Sequence, residues 1–147
     1  MNQKLAEFLS KKQKAAEVID WDERRNAYLQ AVQDLYRQIQ TLLADPLELG
    51  TVKFRLVPKQ LSENYIGSYS VDDLVLVIGG EQVRFSPQGR NIVGALGRVD
   101  VVGERGEAVL ILTPASGWGW VQSRQPRQVE PFSEPILADI FKLVMRD

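Results

Sequence analysis

The stretch GRNIVGALGRVDVVGERG, residues 89–106, sets Gly89, Gly94, Gly97, Gly103 and Gly106 around Arg90, Asn91, Arg98 and Asp100. Glycines so spaced hold a phosphate when the right cations and hydroxyls follow them. Gly89 and Gly94 match the first half of a P-loop, but that motif needs Lys and then Ser or Thr. Ala95 and Leu96 stand there instead, so the phosphate charge and the magnesium ligand are both missing. A dinucleotide fingerprint needs GxG, which Gly94-Ala-Leu-Gly97 lacks. The glycines therefore read as backbone devices. Pro87 and Gly89 suit a turn. Gly94 and Gly97 suit a bulge or tight bend, and Gly103 and Gly106 bracket a hairpin loop.

The charged residues of this stretch have two readings. In GRVDVV, Arg98 and Asp100 share one strand face, opposite Val99 and Val101. As a solvated face they form a cross-strand ion pair worth up to about 1 kcal/mol. As a recognition patch they are joined by Arg90, Asn91 and Arg84, and a small-ligand site or an enzyme built on Arg90, Arg98 and Asp100 is an alternative function. A second constellation is WGWVQSR, in which Trp118 and Trp120 share a strand face and Arg124 and Arg127 follow. Aromatic rings with nearby cations suit single-stranded nucleic acid. The competing role is core, since a sheet covered by helices buries such rings. Asp20 and Asp22 fail the calcium-loop pattern, because Arg24 and Arg25 occupy the next ligand and glycine positions. Asp72 and Asp73 point to opposite faces of a strand and cannot easily share one metal; a turn before a strand is the role expected of them.

Composition removes most catalytic chemistry. The chain of 147 residues has no His and no Cys. A Ser-His-Asp triad, a thiolate nucleophile and His- or Cys-ligated zinc are all excluded. No catalytic motif, cofactor motif or metal-ligand spacing remains, which argues against an enzyme. Eighteen basic and 19 acidic residues leave a net charge of −1, so no global field draws nucleic acid or an anionic membrane. With no signal-peptide pattern and no run of about 20 apolar residues, the chain reads as cytoplasmic and not membrane-bound.

The elements that would position these residues follow from periodicity. Tyr28, Val32, Leu35, Ile39 and Leu42 fall on one helical stripe. Leu5, Phe8, Leu9 and Ala16 form a separate apolar set. Asp20 with Glu23 fits a capping box, so a second helix starts at Trp21; one long bent helix is the alternative. The helix is expected to stop near Asp45, because Pro46 follows. Val52, Phe54 and Leu56 alternate with Lys53 and Arg55 as in a half-buried strand. Leu74 to Ile78 is continuously apolar, as in a strand buried on both faces. Gly79-Gly80 turns it into EQVRF, RVDVV pairs with EAVLILT, and PASG leads into WGWVQSR. Ser133 caps a last helix with Ile136, Leu137, Ile140, Phe141 and Val144 on one face.

The aromatic-rich amphipathic helix, the run IGSYSVDDLVLVIGGEQVRFSPQGRNIVGALGRVDVVGERG and the strand after it resemble a type of small uncharacterised bacterial protein. The resemblance covers residues from about 21 to 122. It implies a bacterial source and brings no fold, function or site residue with it.

The expected architecture is a single α+β domain, residues 1–147. It comprises a helical arm (1–45), an antiparallel meander of about six strands (51–131) and a closing helix (133–147). The expected function is that of a non-enzymatic protein-binding or accessory module with no cofactor. It would contact another protein, or its own twin, through the N-terminal helix or the Arg98/Asp100 face.

Overall fold

A computed structural model of the chain describes residues 3–17, 20–89, 96–114, 116–124 and 127–146; for residues 14–17, 124 and 127 it describes the backbone alone. The fold is α+β. Helices α1 (Gln3–Glu17), α2 (Trp21–Leu42) and α3 (Ala44–Leu49) precede seven strands, and α4 (Glu134–Val144) closes the chain. The strands are β1 (Val52–Glu63), β2 (Gly67–Ile78), β3 (Glu81–Gly89), β4 (Gly97–Val102), β5 (Glu107–Thr113), β6 (Gly117–Arg124) and β7 (Arg127–Pro131). They lie in one antiparallel sheet in strict sequence order. The count is seven rather than about six. The added strand, β7, carries only Val129 as a strong apolar residue, so its alternation is faint in the sequence.

The helical arm is two helices, because Asp20 is extended (φ −90°, ψ 100°) and its Oδ1 accepts from the Glu23 N–H at 3.0 Å. That bond satisfies one of the donors a helix start leaves open. Asp20→Ala is expected to cost about 1 kcal/mol, read by urea denaturation, while Asp20→Ser should stay close to wild type. Loss of less than a few tenths from the alanine variant would show that the cap is not used.

Pro46 does not end the helical region. The chain breaks at Leu43 (φ −103°, ψ 18°) and re-enters helix at Ala44, with Pro46 in the first turn of α3. A proline is tolerated there because the first N–H groups of a helix have no intrahelical partner. Ser133 sits at the start of α4, yet its side chain makes no cap bond. Pro135 in the first turn presets the backbone instead. Leu137, Ile140 and Val144 are buried, with Ile136 and Phe141 packed beside them.

The β1–β2 hairpin is longer than the apolar pattern suggests. Its register runs from Val52↔Ile78 to Glu63↔Gly67. Its outer half is held by polar pairs, Gln60 Nε2 to Ser70 Oγ at 2.6 Å and Ser62 Oγ with Ser68 Oγ at 2.7 Å. The hairpins at Gly79-Gly80 and between Gly103 and Gly106 fall where the glycines indicate.

The sheet has two distinct faces. Leu74, Leu76, Val83, Phe85, Val99, Val101, Ala108 and Leu110 are buried with Tyr28, Val32, Leu35, Tyr36 and Ile39 of α2 and with the apolar face of α4. The other face carries Asp73, Arg84, Ser86, Arg98 and Asp100. Val75 and Ile111 are buried between them; Val77 and Ile78, at the end of the apolar run, are only half-buried. Among the described residues, no helix is long and apolar enough to cross a membrane.

Candidate functional site

The charged face is a ladder of ion pairs. Arg98 Nε lies 2.6 Å from Asp100 Oδ1 and Nη2 lies 3.3 Å from Oδ2. The expected pair is therefore made, but along one strand rather than across two. Asp73 is the centre of a second group. Lys59 Nζ lies 2.8 Å from its Oδ1 and 2.7 Å from Ser86 Oγ, and Arg84 Nη1 lies 2.7 Å from its Oδ2. Asp73 is only 5% exposed. Burial pushes its carboxyl up, but the bonds from Lys59 and Arg84 outweigh that and hold it below the usual carboxylate range. It is therefore a fixed anion at neutral pH, unsuited to give or take a proton there.

Asp73 and Lys59 were not legible as a site in the sequence. Asp72 and Asp73 read as a turn before the strand, whereas both lie inside β2 and point to opposite sides of it. Arg84, a candidate for the Arg98/Asp100 patch, belongs to Asp73. Arg90 and Asn91 lie outside the described residues, as do the side chains of Arg124 and Arg127. Among the described residues no cluster of three acidic groups could hold a metal ion.

Two tyrosines of α2 stitch the sheet where its ladders break. Between β3 and β4 the register shifts between Pro87 and Gly89. This pair is thus a bulge inside a strand, not the turn expected from the sequence. Gly89 has φ 101°, which only glycine adopts readily. Its N–H donates to Tyr28 Oη at 3.0 Å, and Tyr28 O–H donates to the Arg98 carbonyl at 2.7 Å. The ring lies on Gly97, where a Cβ would fall 2.4 Å from Tyr28 Cδ1. Tyr36 O–H lies 2.6 Å from the Asp72 carbonyl and 3.2 Å from that of Phe85. The β2–β3 pairing ends at Leu74↔Phe85. Burial pushes both phenols well above their usual range, so they remain O–H donors.

Trp118 belongs to the core. It is 8% exposed, its ring centroid lies 6.5 Å from that of Tyr28, and its Nε1–H donates to the Ala31 carbonyl at 2.9 Å. Trp120 is half-buried against the same core.

A groove and a helix face are among the uncovered features of the described residues. A groove of about 460 Å³ runs between α2 and the β1–β2 hairpin, lined by Leu29, Val32, Tyr36, Leu56, Val71 and Asp72 among others. On α1, Leu5, Phe8 and Leu9 lie on one face and are each more than half exposed. Lys12 Nζ stands 5.7 Å from the Phe8 ring centroid.

No family model, curated protein or solved structure matches this chain. Its own surfaces therefore carry the functional reading.

Proposed function

We propose that the protein is a binding module, and that α1 is the arm by which it takes hold of another protein. The observation behind this is the uncovered stripe of Leu5, Phe8 and Leu9 on a helix of 15 residues. A helix of that length with an apolar stripe gains most of its stability from packing. The sequence of α1 has four lysines and two glutamates, so the fitting partner offers an apolar groove with an acidic rim. The ion-paired state of Asp73 and Asp100 and the lack of His and Cys make catalysis the weaker reading.

The test compares the full chain with its Leu5→Glu/Phe8→Glu form as bait in nuclease-treated lysate of the source cells. A captured protein is then purified and titrated against both. Binding weakened about tenfold or more by the substitutions supports the arm. Equal binding, or no capture, removes it. Light scattering of the full chain alone identifies the case in which the partner is a second copy.

A further inference from the structure

The outer edge of the sheet points to a second site, independent of α1. β1 is the first strand in the sheet order and, among the described residues, has a neighbouring strand on one side only. Its inner half alternates strictly. Val52, Phe54 and Leu56 lie on the helix side, with Phe54 and Leu56 46% and 48% exposed. Lys53 and Arg55 lie on the opposite side, exposed and with no ion-pair partner among the described residues.

Main-chain directions follow from Pro58. It has no N–H to give to β2. The carbonyl of its register partner, Asp72, accepts from Tyr36 and so faces away from β1. Pro58 and Asp72 are thus a pair that exchanges no ladder bonds. Backbone directions alternate along a strand, so Phe54 and Leu56 also turn N–H and C=O outward. An unpaired edge of this kind is a template for another strand. Pro58 ends it by removing the donor at the next outward position.

We infer that the 52–57 edge of β1 docks an extended segment of a partner protein in which apolar and acidic residues alternate. Strand addition draws affinity from main-chain bonds and specificity from alternate side chains. Paired with Phe54 and Leu56, such a segment lays its apolar residues on the helix side, beside the groove bordered by Leu56 and Val71. Its carboxylates then face Lys53 and Arg55. A second copy of β1 fits poorly. Antiparallel registers that pair Phe54 with the partner's Leu56, or either with itself, oppose Arg55 to Arg55, Lys53 to Arg55 or Lys53 to Lys59. Like charges directly opposite are destabilising.

The probe is a fluorescein-labelled hexapeptide alternating valine and glutamate, with a valine–lysine hexapeptide as control, titrated by anisotropy against the full chain. The glutamate peptide is expected to bind about tenfold or more tightly than the lysine peptide. Lys53→Glu/Arg55→Glu should reverse that preference. Leu56→Pro should also abolish binding while leaving a cooperative unfolding transition, because proline there removes an outward donor and a leucine that is 48% exposed. In the bound state the amides of Phe54 and Leu56 should exchange more slowly with solvent. Failure of the glutamate peptide to bind at about 1 mM, or equal binding of both peptides, overturns the inference. So does a dimer that Leu56→Pro dissociates, which would assign the edge to a second copy. None of these outcomes involves α1, so they leave the arm's own test untouched.

Discussion

Tyr28→Phe should destabilise the protein by about 2–4 kcal/mol, although it removes a single oxygen. That hydroxyl accepts from Gly89 N–H and donates to the Arg98 carbonyl, both at the bulge that joins β3 to β4. Its loss leaves a buried donor unpaired, at about 1–3 kcal/mol, and a carbonyl without its bond. The ring stays, and Gly97 still gives it room, so the loss is one of hydrogen bonding rather than packing. Tyr36→Phe is the control. Phe85 already pairs with Leu74 in the ladder, and the Asp72 carbonyl is an acceptor at the border of the open groove, where water can replace the phenol, so that change should cost only about 1 kcal/mol. Urea denaturation of the two variants decides the point. If Tyr36→Phe costs as much as Tyr28→Phe, the bulge is not what Tyr28 secures.

Asp73→Asn should cost about 2–3 kcal/mol at pH 7, and the difference from wild type should close in acid. The carboxylate takes a charged hydrogen bond from Arg84 on Oδ2, worth about 1.5–3 kcal/mol, and an ion-pair contact from Lys59 on Oδ1. Orphaning a fully buried charge costs about 3–5 kcal/mol. Here the side chains of Lys59 and Arg84 are 25% and 40% exposed, so water takes over part of their solvation and the lower range applies. The sign of the pH effect follows from the lowered carboxyl. A group held below its ordinary value of 3.8 stabilises the fold at every pH above that value. The stabilisation falls as pH drops through 3.8 toward the folded-state value and is gone beneath it. Urea midpoints of both proteins from pH 7 to pH 3 measure this. A gap that stays constant across that range would falsify the account.

Several parts of this fold were legible in the sequence, each for a local reason. The Asp20–Glu23 cap, the α2 stripe and the hairpins at Gly79-Gly80 and Gly103–Gly106 depend on residues within a few positions of one another. What the sequence does not reveal depends on residues far apart. The tip of the β1–β2 hairpin holds Tyr65 at φ 69°, where glycine or asparagine would be expected. Trp21 stacks on it with centroids 5.3 Å apart, across 44 positions of sequence, which helps hold the unfavourable turn. Asp73 looked like a turn residue because its two cations sit on β1 and β3. Pro46 looked like a stop because the break at Leu43 was not visible. The site is less legible than the fold: Arg98 and Asp100 are paired as expected, whereas the β1 edge follows from Pro58 and Asp72 only once the register is known.

The bond from Trp118 to Ala31 closes a separation of 87 residues. On a ribosome adding about 5–20 residues per second, that interval is on the order of 4–17 s. Throughout it, the stripe of α2 has emerged but the last strands of its sheet have not. Nascent chains halted before residue 118 should accordingly recruit chaperones through Val32, Leu35 and Ile39, and chains released beyond α4 should not.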